Sequence, residues 1–239
     1  MAETPESDPD GRGSGRLAQV RRFLAVDQER YGLALLLILA SIIFIMVAGE
    51  GAWARVVAIA LQGLAVVASL RAAESPRPFR HAVRLLVGAA LCFSVIDAAA
   101  TGDVNSRFVE AVTLTLILVA TPAIAIGLIR QIRGKRGATL HSMLGVLCIY
   151  LLLSLAFAAG FGVLDAFNDG PMFTQGADWG TIRNYQYFSL TTITTFGIGD
   201  LTPASDTGRA LTGAEALLGQ IYLVTVVALM VSNLRPVRD

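Results

Sequence analysis

The strongest constraint on this chain is a set of long stretches that carry no charged side chain. Tyr31–Gly49 runs unbroken between Arg30 and Glu50, and Ala111–Ile129, Ser142–Leu164 and Ala216–Leu234 are equally clean. A helix needs roughly 20 apolar residues to cross a hydrocarbon core of about 30 Å, and these runs meet that length. Composition agrees. Charged residues make up 15% of the 239, against about a quarter in soluble domains. Mean hydropathy is +0.63. A water-soluble enzyme is argued against, and with 8 Pro and 2 Cys so are collagen-like and disulfide-stapled folds.

Two shorter runs complete the set. Val56–Leu70 is flanked by Arg55 and Arg71, whose long side chains can reach the interfaces. Leu85–Ile96 reaches spanning length only when His81 to Thr101 are counted, with Arg84 and Asp97 near the two interfaces. The expected fold is therefore an all-α membrane protein with six transmembrane helices. The distribution of Lys and Arg supports that number, because short cytoplasmic loops carry the positive excess. Fifteen of the 19 fall in the N-terminal tail, the second and fourth loops and the C-terminus, and four (Arg55, Arg107, Arg183 and Arg209) fall opposite. The alternation holds only if the third segment crosses. Both termini are then expected in the cytoplasm of a multi-pass protein of the plasma membrane. Nine Asp and Glu in the opposite loops make the outer face net negative, which would enrich cations there.

Residues 1–30 form an expected disordered cytoplasmic tail, since 1–15 are rich in Gly, Pro and acid. They lack the charged lead and short apolar stretch of a signal peptide. Residues 31–136 are expected as a four-helix membrane domain and 137–239 as a second unit. Cys92 and Cys148 both lie inside spans and fit neither a disulfide nor a metal spacing. His81 and His141 stand at helix ends and fit interfacial positions. No paired acids or His cluster that would mark an intramembrane enzyme occurs within the spans, so no catalytic residue, cofactor or nucleic-acid partner is expected. The five residues after Leu234 are too short for a nucleotide- or calcium-binding gating domain.

The informative stretch lies between the last two spans. Thr181 suits a helix N-cap, and the dozen residues after it are aromatic, amphiphilic and too few to cross. An apolar segment that enters a membrane and returns must hide its non-helical backbone in protein or along a watery cavity. Here that backbone is Thr195-Phe196-Gly197-Ile198-Gly199, followed by Asp200. Alternating glycines permit dihedrals that let successive carbonyls point the same way. Repeated by symmetry, such a row of carbonyls can replace the hydration shell of a cation.

Thr194-Thr195-Phe196-Gly197-Ile198-Gly199-Asp200 resembles the potassium-channel signature, usually Thr-Thr-Val-Gly-Tyr-Gly-Asp. The likeness extends through Tyr187-Phe188-Ser189, where the family often has two aromatics and Ser. It continues through Leu201, Pro203, Gly208 and Arg209 to Gly219, the family's usual inner-helix hinge, and so covers residues 181–234. The resemblance implies a re-entrant pore helix at 181–194, a filter at 195–200, an inner helix at 211–234 and a homotetrameric pore. It implies potassium coordination by the carbonyls of Thr195, Phe196, Gly197 and Ile198, with the Thr195 hydroxyl innermost and Gly199 closing the mouth. Asp200, Thr194, Tyr187, Phe188 and Thr191 would support the filter, and potassium would be the permeant ligand.

Two substitutions depart from the pattern. Phe196 replaces the usual Val and Ile198 replaces the aromatic, while Thr191 stands where many members carry an acid in mid pore helix. A weakly selective monovalent cation pore, or a non-conducting scaffold or permease with a vestigial loop, are the alternatives. Glu215 would be costly facing lipid and is expected either to bond the back of the pore helix or to lie at an interface. Gln220 and Thr225 fit either water or a neighbouring helix. Arg130, Arg133 and Arg136 recur every third residue, as in a voltage-sensing helix, but Ala111–Ile129 itself holds no Lys or Arg. With Lys135 they are expected to be topological signals in contact with anionic lipid, leaving the channel without a voltage sensor.

Overall fold

The computed structural model describes residues 31–48, 51–72, 77–101, 140–168 and 170–228, with Thr115 and Ile126 as isolated positions. The expected fourth span and the Arg130, Arg133, Lys135 and Arg136 cluster lie outside the described residues, as do the N-terminal tail and the end of the last span.

Every long element is helical. We number them α1 (Tyr31–Val47), α2 (Ala52–Ala72), α3 (Arg77–Thr101), α4 (Leu140–Phe167), α5 (Ile182–Ile193) and α6 (Asp206–Ile221), which continues as a π-helical stretch, Tyr222–Val227. Three of them, within Ala52–Ala72, Arg77–Ile96 and Met143–Phe167, are long and apolar enough to cross a membrane. The third run is much longer than its charge-free part. As a 25-residue helix it extends roughly 37 Å at 1.5 Å per residue. Arg77, Arg80 and Arg84 are part of that helix, so counting only uncharged residues shortens it. The last helix also begins earlier than 211. Ser205 accepts the Gly208 amide at 3.0 Å and caps α6 with Asp206 in its first turn, where an acid complements the helix dipole.

The core gathers small and β-branched residues from four helices. Ala34, Ile38, Ile42 and Ile45 of α1 meet Ala65, Val66 and Leu70 of α2, Val83 and Val87 of α3, and Val146, Ile149 and Leu152 of α4. Leu190 of α5 and Tyr222 and Val226 beyond α6 pack on the same cluster. The N-terminal helices are thus built into the packing around α5. Gly63 permits a close approach of α2 to α3, because a Cβ there would lie 2.5 Å from Val87 Cγ1. Two buried hydroxyls are satisfied locally: Ser69 and Ser94 donate to the carbonyls one turn back, both at 2.8 Å. Cys92 and Cys148 are free thiols, the second buried.

Arg183, on the first turn of α5, donates from Nη2 to the Ala48 carbonyl at 2.6 Å. Ile182 packs on Ile59 of α2. The α1–α2 connection and the start of α5 therefore lie at the same end of the molecule.

Candidate functional site

The short helix α5 runs from that end into the protein. Thr181 caps it as expected, its side chain accepting the Asn184 amide. The helix is fixed by residues that a charge survey does not single out. Asp165, in the last turn of α4, accepts the Met172 amide through Oδ1 and the Tyr185 hydroxyl through Oδ2, both at 2.6 Å. Phe188 lies between two rings, its centroid 5.1 Å from Phe161 and 5.3 Å from Phe173, both edge-on. Such edge-to-face pairs add to the burial of a large apolar surface. Phe188 thus supports the segment by holding α5 against α4 and the connecting loop.

At the inner end of α5 the backbone changes direction. Thr194 caps the helix, and its hydroxyl donates to the Leu190 carbonyl at 2.7 Å. The amides of Phe196 and Gly197 both donate to the Thr191 carbonyl, at 2.9 and 3.0 Å. Thr191 therefore acts through its main chain, while its own hydroxyl donates to the Phe188 carbonyl at 3.0 Å.

Thr195, Gly197 and Gly199 have φ of 58°, 50° and 82°. Every second residue is left-handed, and the two glycines accept this at little steric cost. Thr195 does not, because a β-branched residue at positive φ is a strained outlier. Its hydroxyl donates to the Thr194 carbonyl at 2.7 Å. The reversal therefore begins at Thr195, two residues before the first glycine, a feature that glycine spacing does not signal. Residues 194–200 are all exposed in the single chain. Phe196 is 74% and Ile198 54% exposed, so neither belongs to the chain's own core.

The outer end is tied to the loop before α5. Gln175 donates from Nε2 to the Asp200 carbonyl at 2.5 Å. Thr174 donates its amide to Thr202, and Ala204 its amide to Met172, each at 2.9 Å. Asp200 caps the next turn by accepting the Leu201 amide at 3.0 Å, and its carboxylate acts on the Tyr187 hydroxyl beside it. Gln175 carried no motif; its partner is a backbone atom 25 positions away.

Behind the turn, α6 and α4 close on α5. A Cβ at Gly219 would lie 2.5 Å from the Ile193 carbonyl oxygen and 2.7 Å from Ile193 Cγ1. Close packing alone thus demands glycine there. The same Ile193 carbonyl accepts the Tyr150 hydroxyl at 2.7 Å. One turn earlier on α6, Glu215 is fully buried and shares a hydrogen bond with Ser189, as expected of an acid that avoids lipid. Gln220 and Thr225 are exposed in the single chain, as are Leu217, Leu218, Ile221 and Val224.

Residues 146–235 match the model of a protein family described as an ion channel. No curated protein and no solved structure matches the chain. The matched stretch takes in most of α4 and all of α5, the 194–200 turn and α6.

Proposed function

We propose, from the premise that residues 146–235 form a domain of the ion-channel family, that the chain conducts potassium passively and selectively through a pore formed by four copies. The observation that carries the reading is the alternation of left-handed residues at 195, 197 and 199, together with the two amides turned onto Thr191. With those N–H groups committed to the pore helix, the carbonyls of Thr195, Phe196, Gly197 and Ile198 are left to face an ion. One chain supplies one strand of such carbonyls, and a cation stripped of water needs ligands on all sides. Fourfold repetition provides them. The exposed Phe196 and Ile198, and the apolar face of Leu217, Leu218, Ile221 and Val224, are surfaces that neighbouring copies would cover.

Asp200, Thr194, Thr191, Tyr187 and Phe188 position the filter rather than touch the ion. The C-terminal end of α5 is directed inward, where its partial negative charge favours a cation. Gly219 brings the inner helix onto the end of the pore helix, and the π-helical stretch begins three residues later. Such a stretch is a recurrent local deviation at functional sites, which supports this part of the inner helix as the place where the pore opens. The basic cluster Arg130, Arg133, Lys135 and Arg136 is assigned to anionic lipid at the cytoplasmic face of the plasma membrane, with both termini on that side.

The test is ion flux from proteoliposomes of the full chain loaded in turn with potassium, rubidium and sodium. Potassium and rubidium are expected to pass and sodium to be held back. Equal passage of sodium would assign a weakly selective cation pore, a reading that the replacement of the family's filter aromatic by Ile198 favours. Gly197→Ala and Gly199→Ala should each abolish selective flux; unchanged flux in either would place the filter elsewhere.

A further inference from the structure

We infer that Glu215 carries a proton, donates it to Ser189, and acts as a positioning residue that holds the filter-bearing pore helix against the inner helix. The inference rests on the reading of 195–200 as the filter. Glu215 is fully buried, its Oε1 is bonded to Ser189 Oγ, and its Oε2 has no hydrogen-bonding partner. Among the described residues, Ser189 is the one hydrogen-bonding group that acts on this carboxyl. An ionised form would leave a buried anionic oxygen without a donor, the most costly arrangement a polar group can adopt.

Counting protons leads to the same assignment. Ser189 has one hydroxyl proton, and the Ser154 carbonyl lies in line for it at 2.7 Å. Ser154 Oγ, 3.1 Å from Ser189 Oγ, is in turn approached by Gln186 Nε2 at 3.4 Å. If Ser189 gives its proton to the Ser154 carbonyl, the bond between Ser189 and Glu215 requires the carboxyl proton. The nearby Tyr150 hydroxyl cannot supply it, being committed to the Ile193 carbonyl at 2.7 Å. A protonated Glu215 lets Ser189 donate and accept at once; an ionised one takes the Ser189 proton away from Ser154.

The placement gives this bond its consequence. Glu215 and Gly219 are one turn apart on α6 and both meet α5, at Ser189 and at Ile193. Between those two contacts lies Thr191, whose carbonyl holds the amides of Phe196 and Gly197. Any rotation of α5 about its axis would carry Thr191, and with it the filter, away from the fourfold arrangement. Glu215 is therefore placed to set the filter's register from the inner helix.

The experiment compares Glu215→Gln, Glu215→Leu and Ser189→Ala in the full chain, reading the potassium-to-sodium flux ratio from proteoliposomes. Glu215→Gln, neutral and still a donor, should keep the wild-type ratio. Glu215→Leu should lower it roughly five-fold, about one side-chain hydrogen bond, and adding Ser189→Ala to Glu215→Leu should lower it no further. The infrared spectrum of the wild type should contain the carbonyl stretch of a protonated carboxylic acid that is missing in Glu215→Gln. A wild-type ratio in Glu215→Leu overturns the positioning role. Loss of the ratio in Glu215→Gln, or no such band, overturns the protonated form. Should Glu215→Leu fail to fold, Ser189→Ala and Glu215→Gln still decide: an unchanged ratio in Ser189→Ala overturns the role. Absence of selectivity in the wild type itself would instead refute the filter reading.

Discussion

Replacing Gly219 with Ala separates two accounts of that glycine. If it serves only as a flexible point in the inner helix, alanine should stabilise the protein, because Ala is favoured over Gly in a helix interior by about 1 kcal/mol. The packing predicts the opposite. The new Cβ would stand 2.5 Å from the Ile193 carbonyl oxygen and 2.7 Å from Ile193 Cγ1, nearly an ångström inside ordinary contact. The nearer obstacle is backbone, so rotamer changes cannot relieve it and one helix must move. Overpacking of this kind costs about 1–3 kcal/mol. Movement also stretches the Tyr150 hydrogen bond to the same carbonyl, worth roughly 0.5–1.5 kcal/mol. Set against the helix-propensity gain, the net loss is on the order of 1–3 kcal/mol. Thermal unfolding of Gly219→Ala, Tyr150→Phe and the double variant in one detergent would measure it. The double variant should lose less than the two single losses combined, since both act on one carbonyl. If α5 is the proposed pore helix, which Ile193 ends, the potassium-to-sodium flux ratio should fall as well. A Gly219→Ala protein as stable as the wild type, with its selectivity intact, would refute the packing argument.

Three further outcomes follow from the same geometry. Phe188→Ala should lower stability by about 3–5 kcal/mol, read by thermal unfolding, because a buried ring between two others leaves a cavity. Gly63→Ala should destabilise the α2–α3 contact by about 1–2 kcal/mol in the same assay, since Val87 is stiff at χ1 and its Cγ1 would lie 2.5 Å from the new Cβ. Asp165→Asn keeps the shape but weakens two hydrogen bonds to a charged acceptor, and should cost roughly 1.5–3 kcal/mol. Hydrogen exchange at the Met172 amide should rise with it, and unchanged protection would show that the loop is held by other contacts.

How much of this was legible in advance varied by element. The start of α5 was legible, since Thr181 is a side-chain cap written locally. The third helix starts at Arg77 rather than His81, because Arg80 and Arg77 lower the hydropathy without ending a helix. The start of α6 at Asp206 was missed for a related reason: an N-cap Ser and an acidic first turn are helix signals but look polar to a hydropathy reading. The left-handed backbone at Gly197 and Gly199 was legible from their spacing, whereas Thr195 was expected as a coordinating residue and not as a left-handed one. Asp165, Gln175, Tyr150 and Gly219's contact with Ile193 depend on partners 7 to 43 positions away. Pairings of that kind have no periodicity to read.

The local sequence therefore determined that this chain carries helices apolar enough for a bilayer, and glycine spacing that a turn with left-handed residues follows the short helix α5. Those properties are local, because the solvent acts on each residue separately and backbone freedom belongs to each residue itself. Tertiary structure decided what the turn rests on: Thr191 receiving two amides, Gly219 against a carbonyl, and a buried acid facing Ser189. Each is a contact between helices distant in sequence, and its energy exists only once packing has excluded water from between them.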